Sequence, residues 1–258
     1  MKKGSSNSNS SFKNSQSLSP TSLPQIPTPS PILNEKKFCP SLEKEGYQLA
    51  DKNNSLYRGQ PKVYYDLNKD SIAELVVVYN EKTGDFLQRS KPIILKIYSL
   101  ISNCYQEVFS FIAQTDSYVN NEVLNMTIYP NFWSDQKDVV VLEAIDTGYG
   151  SSYDVYHYFI TFENNIYQNK EMIKSNSDDI YQFFGKKYLG EKIIWARMTW
   201  LEEDQCHFCP HRYLLEEYIW DGNRYSKREI GLTKNKYSPD HISFDQIKAM
   251  EKDWLNLD

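Results

Sequence analysis

Several features that mark common classes of protein are absent from this sequence. No apolar run approaches the ~20 residues that a helix needs to cross a bilayer, so no transmembrane segment is predicted. The formal net charge is -5, from 29 basic and 34 acidic residues that are interspersed along the chain. The basic surface that nucleic acids require is therefore missing. We expect neither a membrane-spanning protein nor a nucleic-acid partner.

Familiar catalytic motifs are also missing. The sequence contains no G-x-S-x-G, no Gly-rich phosphate loop and no H-E-x-x-H, which removes the simplest signatures of hydrolases, nucleotide enzymes and zinc proteases. His157 lies in an aromatic segment, 153–162, which favours packing over a role as general base. Acidic residues are abundant, so a carbohydrate-active hydrolase that uses a carboxylate pair stays open as an alternative.

Cysteine is scarce, with four residues in the whole chain. Cys39 and Cys104 either pair in an oxidising compartment or are unrelated thiols, because four cysteines do not define a disulfide framework. Cys206 and Cys209 form a C-x-x-C motif with His211 nearby. A disulfide is favoured there, followed by free thiols and then zinc, since these residues supply only three of four zinc ligands.

Aromatic residues, by contrast, are plentiful, with 20 Tyr, 12 Phe and 5 Trp making up 14% of the chain. Aromatic and β-branched side chains fit the pleated surface of a sheet, which favours a β-rich core. We expect most of the tryptophans Trp133, Trp195, Trp200 and Trp220 in that core, with one or two exposed.

Residues 1–36 have a different composition, mostly Ser, Asn, Pro, Thr and Lys. Such a segment buries too little apolar area to offset the entropy of ordering, so we predict a disordered tether. Two lysines follow Met1, as in a secretory signal, but no apolar segment comes after them. A tether of this kind is typical of exported lipoproteins and suggests an extracytoplasmic or cell-envelope location. A flexible N-terminus on a cytoplasmic protein is the alternative.

The rest of the chain contains an internal repeat. Three segments, 74–79, 138–143 and 192–197, each begin with a charged residue and continue with apolar ones. Each is followed by a second segment and by a return segment that carries a tyrosine, at Tyr105, Tyr167 and Tyr225, which lie 62 and 58 residues apart. The two sets of landmarks indicate one repeating unit of about 60 residues.

The repeat predicts a mainly β fold of three antiparallel sheet units within residues 37–238. Turn residues support hairpins in all three units, at Ser102-Asn103, Asn164-Asn165 and Asp221-Gly222, the last as a two-residue type I′ turn. Three units are too few to close a propeller of 4 to 8 blades. We therefore expect an incomplete propeller-like arrangement or a sandwich.

Helix is predicted in two places. Residues 239–258 contain a capping box from Ser243 to Gln246, and Ile247, Met250 and Trp254 fall on one helical face, which we expect to dock on the sheets. A short second helix is predicted over 177–184.

One loop has the spacing of a calcium site. Oxygen ligands at alternating positions occur in Asp66, Asn68, Asp70, Ile72 through its backbone carbonyl, and Glu74. An EF-hand is excluded because its bidentate Glu at position 12 would be Val77 and because strands flank the loop. The alternative is a turn in which Asp and Asn cap their own backbone without a metal.

The pattern Asp66-x-Asn68-x-Asp70-Ser71-x-x-Glu74, followed by an apolar strand, resembles the calcium loop of FG-GAP or VCBS-type repeats. Ser71 stands where those repeats have glycine, and the corresponding segments 131–138 and 184–192 have lost ligands. The resemblance implies bacterial, propeller-type repeats with a structural Ca²⁺, as in extracellular proteins that bind other proteins or glycans. The resulting hypothesis is a non-enzymatic binding or scaffold module. The alternatives are the hydrolase and a metal-independent intracellular repeat protein.

Overall fold

The computed structural model describes residues 47–49, 61–81, 93–113, 121–133, 136–146, 153–204, 206, 209–239 and 242–251. The predicted tether, residues 1–36, lies outside these residues, as do Cys39 and Trp254. No helix in the described part of the chain is long and apolar enough to span a membrane.

The chain forms three antiparallel sheets in sequence order. The first contains β1 (Tyr47–Leu49), β2 (Lys62–Tyr65), β3 (Glu74–Glu81), β4 (Ile93–Ile101) and β5 (Cys104–Ala113). The second contains β6 (Asn121–Tyr129), β7 (Val139–Asp146), β8 (Asp154–Glu163) and β9 (Ile166–Asn176). The third contains β10 (Ile180–Phe183), β11 (Lys192–Thr199), β12 (Arg212–Trp220) and β13 (Tyr225–Leu232). Because β1 and β2 pair with successive parts of one edge of β3, the first sheet is also four strands wide.

The predicted repeat coincides with these sheets. Glu74 and Lys192 begin β3 and β11, and Asp138 immediately precedes β7. The three charged residues therefore mark the strand that lies in second place across each sheet. The tyrosine hairpins join the last two strands of each unit. The predicted mainly β class, with three antiparallel sheet units and a C-terminal helix, is confirmed.

Two of the three predicted hairpin turns have the expected backbone. Ser102 and Asn103 have φ of 51° and 67°, and Asn164 and Asn165 have φ of 52° and 63°. Positive φ at both central residues defines a type I′ turn.

The third predicted turn is wrong in its length. Trp220 pairs with Tyr225, which leaves a loop of four residues in which Gly222 has a φ of 104°. The Asp221 carboxylate accepts hydrogen bonds from the backbone N–H groups of Asn223 and Arg224 at 2.8 and 2.9 Å. These bonds stabilise a wider loop than the Asp-Gly pair alone predicts.

The second sheet lies between the other two, and its strand β7 is buried at every position. Val140 and Leu142 on one face of β7 belong to a core shared with β3 and β4. Val139 and Val141 on the other face belong to an aromatic core shared with β11 and β12. A strand covered on both faces explains why its sequence is continuously apolar instead of alternating.

The outer face of the third sheet is covered by α1 (Phe244–Met250). Phe244 and Ile247 pack against Ile194 and Leu215 of the sheet. The predicted capping box is present, with Ser243 and Gln246 exchanging bonds of 3.3 and 2.8 Å between side chain and backbone N–H.

The predicted buried face of this helix is wrong at Met250, which is 59% exposed. Glu251 is buried instead. Its carboxylate accepts hydrogen bonds from the backbone N–H groups of Lys234 and Asn235 and from the Tyr237 hydroxyl. Position 251 lies seven residues after Phe244 and four after Ile247, on the buried face of the helix, and a polar residue occupies it.

The predicted short helix over 177–184 is also wrong, because this segment contains the strand β10, which pairs with β11. The Asp179 carboxylate accepts hydrogen bonds from the N–H groups of Asn176 and Met198 at 2.9 and 3.1 Å. Asp179 therefore attaches the segment to the neighbouring strand instead of capping a helix.

Candidate functional site

The predicted calcium ligands lie together in loop 1, residues 66–73, which joins β2 to Glu74 at the start of β3. The two oxygens of Asp66 accept hydrogen bonds from the N–H groups of Asp70 and Ser71 at 3.1 and 2.9 Å. The side chains of Asn68 and Asp70 accept bonds from the N–H groups of Asp70 and Ile72. These bonds curl the loop around its own side-chain oxygens, as the alternative of a self-capping Asx turn predicts.

The backbone of loop 1 is left-handed at two positions. Lys69 has a φ of 61° and Ser71 has a φ of 71°. Ser71 stands where the calcium-loop pattern has glycine, and its φ shows that the tight turn which glycine normally permits is formed here without one. A left-handed residue other than glycine costs about 1–2 kcal/mol, so the loop carries backbone strain at Ser71.

Glu74 adds a third carboxylate to the loop, and it is buried. Its side chain accepts hydrogen bonds from the Leu67 N–H at 2.8 Å and from the Ser99 hydroxyl at 3.4 Å. Burial raises the pKa of Glu74, and although the Leu67 bond lowers it, repulsion from Asp70 and Asp66 raises it further. Among the described Lys, Arg and His residues, none forms an ion pair with these three carboxylates. Loop 1 therefore concentrates negative charge that no described basic residue neutralises through an ion pair.

The donor chemistry of loop 1 fits a hard cation. In the part of the chain that the structure describes, no three Asp, Glu, His or Cys side chains lie together as a ready set of metal ligands. The predicted set, however, includes the Asn68 amide and the Ile72 carbonyl besides three carboxylates, and carboxylate oxygens that accept one hydrogen bond keep further lone pairs. Oxygen donors with an excess of negative charge are the ligands that Ca²⁺ takes in proteins.

The corresponding segment of the second sheet, loop 2, is described at residues 130–133 and 136–138. It holds a cation that comes from loop 1. The Lys69 Nζ lies 3.3 Å from Asn131 Oδ1, 2.6 Å from the Gln136 carbonyl oxygen and 3.3 Å from Asp138 Oδ1. The Tyr65 hydroxyl donates to the other oxygen of Asp138 at 3.0 Å. Burial and the Asp138 carboxylate both raise the pKa of Tyr65.

Loop 3, residues 184–191, differs again. The residue that begins the following strand is Lys192, and its ammonium group pairs with Glu217 at 2.9 Å. The 3₁₀ helix Leu189–Glu191 attaches this loop to the second sheet, because the Gly190 N–H donates to the Phe132 carbonyl at 2.7 Å. The same place in the three units thus holds carboxylates that form no ion pair with a described basic residue, a carboxylate with a lysine from another unit, and a lysine.

Two of the repeated tyrosines donate hydrogen bonds to these loops, and the third lies near Glu74. The Tyr105 hydroxyl donates to the Ala73 carbonyl at 3.4 Å, and the Tyr225 hydroxyl donates to the Gly190 carbonyl at 2.7 Å. The Tyr225 oxygen also accepts a bond of 3.0 Å from Trp133 Nε1 in loop 2. Burial and the neighbouring Glu74 carboxylate raise the pKa of Tyr167.

A second polar group lies inside the stack, where the sequence predicted packing at His157. Its Nδ1 lies 3.1 Å from Glu143 Oε1 and its Nε2 lies 2.9 Å from the Ser175 hydroxyl. Tyr181 of the third sheet donates to the same Glu143 oxygen at 2.5 Å. This arrangement of acid, imidazole and hydroxyl resembles a charge-relay triad, but Ser175 is only 5% exposed. The His157 ring packs edge-on against Tyr181 and Trp195, which stack on each other. The group satisfies polar atoms between two sheets.

The C-x-x-C motif forms a disulfide between Cys206 and Cys209, the favoured of its three interpretations. Beside it, Asp204 Oδ2 lies 2.9 Å from His211 Nδ1, and Asp204 Oδ1 lies 2.6 Å from the Lys236 ammonium group. Zinc binding by this motif would first require reduction of the disulfide. Cys104 forms no disulfide with another described cysteine.

The predicted tryptophan distribution is confirmed. Trp133, Trp195 and Trp220 are buried, whereas Trp200 is 55% exposed. Trp133 and Trp220 stack with their ring centroids 4.0 Å apart. The large aromatic surfaces therefore join the second and third sheets instead of forming an open platform for sugars.

The sequence did not predict the role of Lys69. A usable signal exists, because alignment of the repeat places Asp138 at the position of Glu74, and a second buried carboxylate needs a partner.

Comparison with protein-family models, with curated proteins and with solved structures finds no match to this chain.

Proposed function

We propose that this chain is a non-enzymatic binding or scaffold module whose loop 1 binds a structural Ca²⁺ ion. The observation that carries the proposal is the charge of the loop. Asp66, Asp70 and the buried Glu74 lie close enough for the first two to raise the pKa of the third, and no described basic residue pairs with any of them. A divalent cation would supply the missing positive charge.

In this proposal the side chains of Asp66, Asn68, Asp70 and Glu74 and the carbonyl of Ile72 hold the ion. Bound Ca²⁺ supplies charge neutralisation and a fixed point for oxygen donors, and it has no catalytic role. Its effect is to stabilise the curled loop between β2 and β3. Because the Lys69 in this loop contacts the second sheet, stabilising the loop also stabilises the contact between the first two sheets.

The proposed binding or scaffold role rests on how side chains fill the space between the three sheets. The middle sheet has both faces covered, and the aromatic side chains that could stack on sugars are mostly buried between sheets. A protein or glycan partner at the outer surface, and a location outside the cytoplasm through the segment 1–36, are further parts of the proposal and come from the repeat resemblance.

The carbohydrate-active hydrolase gains no support from the described carboxyl groups. Among the described carboxyl groups, those with raised pKa values are Glu74 and Asp179. Glu74 belongs to the first sheet and Asp179 lies beside the third, with the second sheet between them. These two groups therefore do not form the close pair that glycoside hydrolysis requires.

Thermal unfolding with and without Ca²⁺ tests the proposal. A ligand that binds only the folded chain at 100 times its Kd adds about 2.7 kcal/mol of stability, which is roughly 5–11 °C in Tm for a chain of this size. Asp70→Asn, which keeps the shape of the side chain, should lose this rise in Tm. Asp245→Asn, an exposed carboxylate in α1, should keep it.

Mg²⁺ at the same concentration should have a smaller effect, because it demands a stricter octahedral geometry. A wild-type Tm that Ca²⁺ leaves unchanged would overturn the calcium proposal. An equal rise in wild type and Asp70→Asn would show that the ion binds elsewhere.

A further inference from the structure

We infer that loop 2 is a second cation site and that its permanent occupant is the ammonium group of Lys69. Three oxygens of three chemical types surround this group: the amide oxygen of Asn131, the backbone carbonyl of Gln136 and the carboxylate of Asp138, at 3.3, 2.6 and 3.3 Å. An amide, a carbonyl and a carboxylate together are the donors found around a bound Ca²⁺ ion. The inference concerns loop 2 and does not require calcium in loop 1.

The hydrogen bonding of loop 2 supports this assignment, because its carboxylate closes the turn as the carboxylate of loop 1 does. The carboxylate of Asp138 accepts the N–H of Asn131, seven residues earlier, at 2.7 Å. In loop 1 the carboxylate of Glu74 accepts the N–H seven residues earlier in the same way, at 2.8 Å. The left-handed residues differ in position, since Asn131 and Gln136 lie seven and two residues before Asp138, and Lys69 and Ser71 lie five and three residues before Glu74. The two loops therefore share a carboxylate anchor across a turn of different backbone form.

Burial explains why loop 2 needs its cation. The Asp138 side chain is 4% exposed, and the Lys69 ammonium group is its only charged partner among the described residues. A buried carboxylate without a positive partner is costly, and removing one member of a buried pair leaves the other uncompensated. Lys69 itself is half exposed, so the side chain can be replaced without opening the core.

Removal of the ammonium group should therefore leave an oxygen-lined site that accepts a hard cation from solution. Lys69→Met tests this, because methionine keeps an unbranched apolar stem and removes the charge. The variant is made in the full chain together with Asp70→Asn, so that loop 1 does not contribute binding. The probes are Tb³⁺, whose emission is sensitised by nearby aromatic rings such as Trp133, and Ca²⁺ as its competitor.

We expect the Asp70→Asn chain to show no tight Tb³⁺ site, because Lys69 still occupies loop 2. The Asp70→Asn, Lys69→Met chain should gain one site per chain, which Ca²⁺ competes for and which Asp138→Asn abolishes. Lys69→Arg, which keeps a cation at this position, should gain none. If the Lys69→Met chain is unstable alone, millimolar Ca²⁺ should restore its Tm towards that of the Lys69→Arg chain.

The inference is overturned if Lys69→Met gains no Tb³⁺ site, if the gained site survives Asp138→Asn, or if an unfolded Lys69→Met chain is not recovered by Ca²⁺. Failure of calcium binding in loop 1 is a separate result, since it is read from the wild type and from Asp70→Asn, both of which retain Lys69.

Discussion

The hydroxyl group of Tyr225 connects the third sheet to the second, and its removal measures how much that connection contributes to stability. It accepts a hydrogen bond from Trp133 Nε1 at 3.0 Å and donates one to the Gly190 carbonyl at 2.7 Å. Both Trp133 and Gly190 are buried. Tyr225→Phe therefore leaves an indole N–H and a carbonyl without this partner, in a place that water does not reach.

The size of the effect follows from the two lost bonds. An unsatisfied buried donor costs about 1–3 kcal/mol, and the carbonyl adds less because it has a second lone pair. We expect Tyr225→Phe to lower the free energy of unfolding by about 2 kcal/mol, or roughly 4–8 °C in Tm for a chain of this size. Tyr64→Phe makes the same chemical change on an exposed ring of β2 and should stay within about 0.5 kcal/mol of wild type.

Urea unfolding followed by far-ultraviolet circular dichroism provides the assay, because that signal does not depend on tryptophan emission. The midpoint should shift while the slope stays constant, since a change in slope reports a change in the exposed surface on unfolding. A double-mutant cycle with Trp133→Phe then isolates the bond between the two residues, and we expect a coupling energy of about 1 kcal/mol.

Two results would refute the reasoning. One is a Tyr225→Phe chain as stable as the Tyr64→Phe chain, which would mean that the hydroxyl group does not hold the sheets together. The other is additivity of Tyr225→Phe and Trp133→Phe within about 0.3 kcal/mol, which would mean that the two groups act independently.

Three further predictions concern buried groups elsewhere in the stack. Burial alone would raise the pKa of Glu143, but hydrogen bonds from its histidine and tyrosine neighbours hold that pKa below its ordinary value of 4.5. The stability that Glu143 contributes is therefore present above pH 4.5 and is lost as the pH falls through the lower pKa of the folded state. Urea midpoints between pH 7 and pH 3 should fall more steeply for wild type than for Glu143→Gln, and parallel curves would contradict this. Glu251→Ala should lower the free energy of unfolding by about 3 kcal/mol, because it leaves two backbone N–H groups and a hydroxyl without this acceptor. Hydrogen exchange at the backbone N–H groups of residues 234 and 235 should accelerate. Unchanged exchange would argue against the buried position of the Glu251 carboxylate. Gly190→Ala should lower stability by about 2–3 kcal/mol, since its Cβ would lie 2.2 Å from a ring carbon of the buried Phe132. Gly222→Ala meets nothing within 4 Å and should cost only about 1 kcal/mol, from its left-handed backbone. Equal urea midpoints for the two variants would contradict the close approach at Gly190.

The parts of the fold that the sequence predicts are those determined by local chemistry. Asn164 and Asn165 favour positive φ wherever they occur, so the turn between β8 and β9 is readable from two residues. The apolar segments that follow Glu74 and Asp138 in the sequence are long enough to form strands in any sheet. Local preference failed at 177–184, where the segment predicted as a short helix contains the strand β10 and Asp179 bonds to the backbone of β11.

The contacts that join the sheets were not readable in the same way. Trp133 and Tyr225 are 92 residues apart, and Lys69 and Asn131 are 62 apart. Such pairs depend on how one sheet is rotated and stacked on the next, which no periodicity along a single strand encodes. The proposed calcium ligands of loop 1, by contrast, are all close together in the sequence. Spacing therefore predicts that loop, whereas the position of Lys69 in loop 2 required coordinates.

The position of α1 restricts how a protein of this design can be lengthened. Tandem duplication normally extends a stack by adding a unit that packs against the last sheet. Here Phe244 and Ile247 already cover the outer face of the third sheet, which an added unit would need. An additional unit must either displace the helix or be inserted ahead of β10, where the joining surfaces are sheet against sheet. The helix thus sets the direction in which copy number can change.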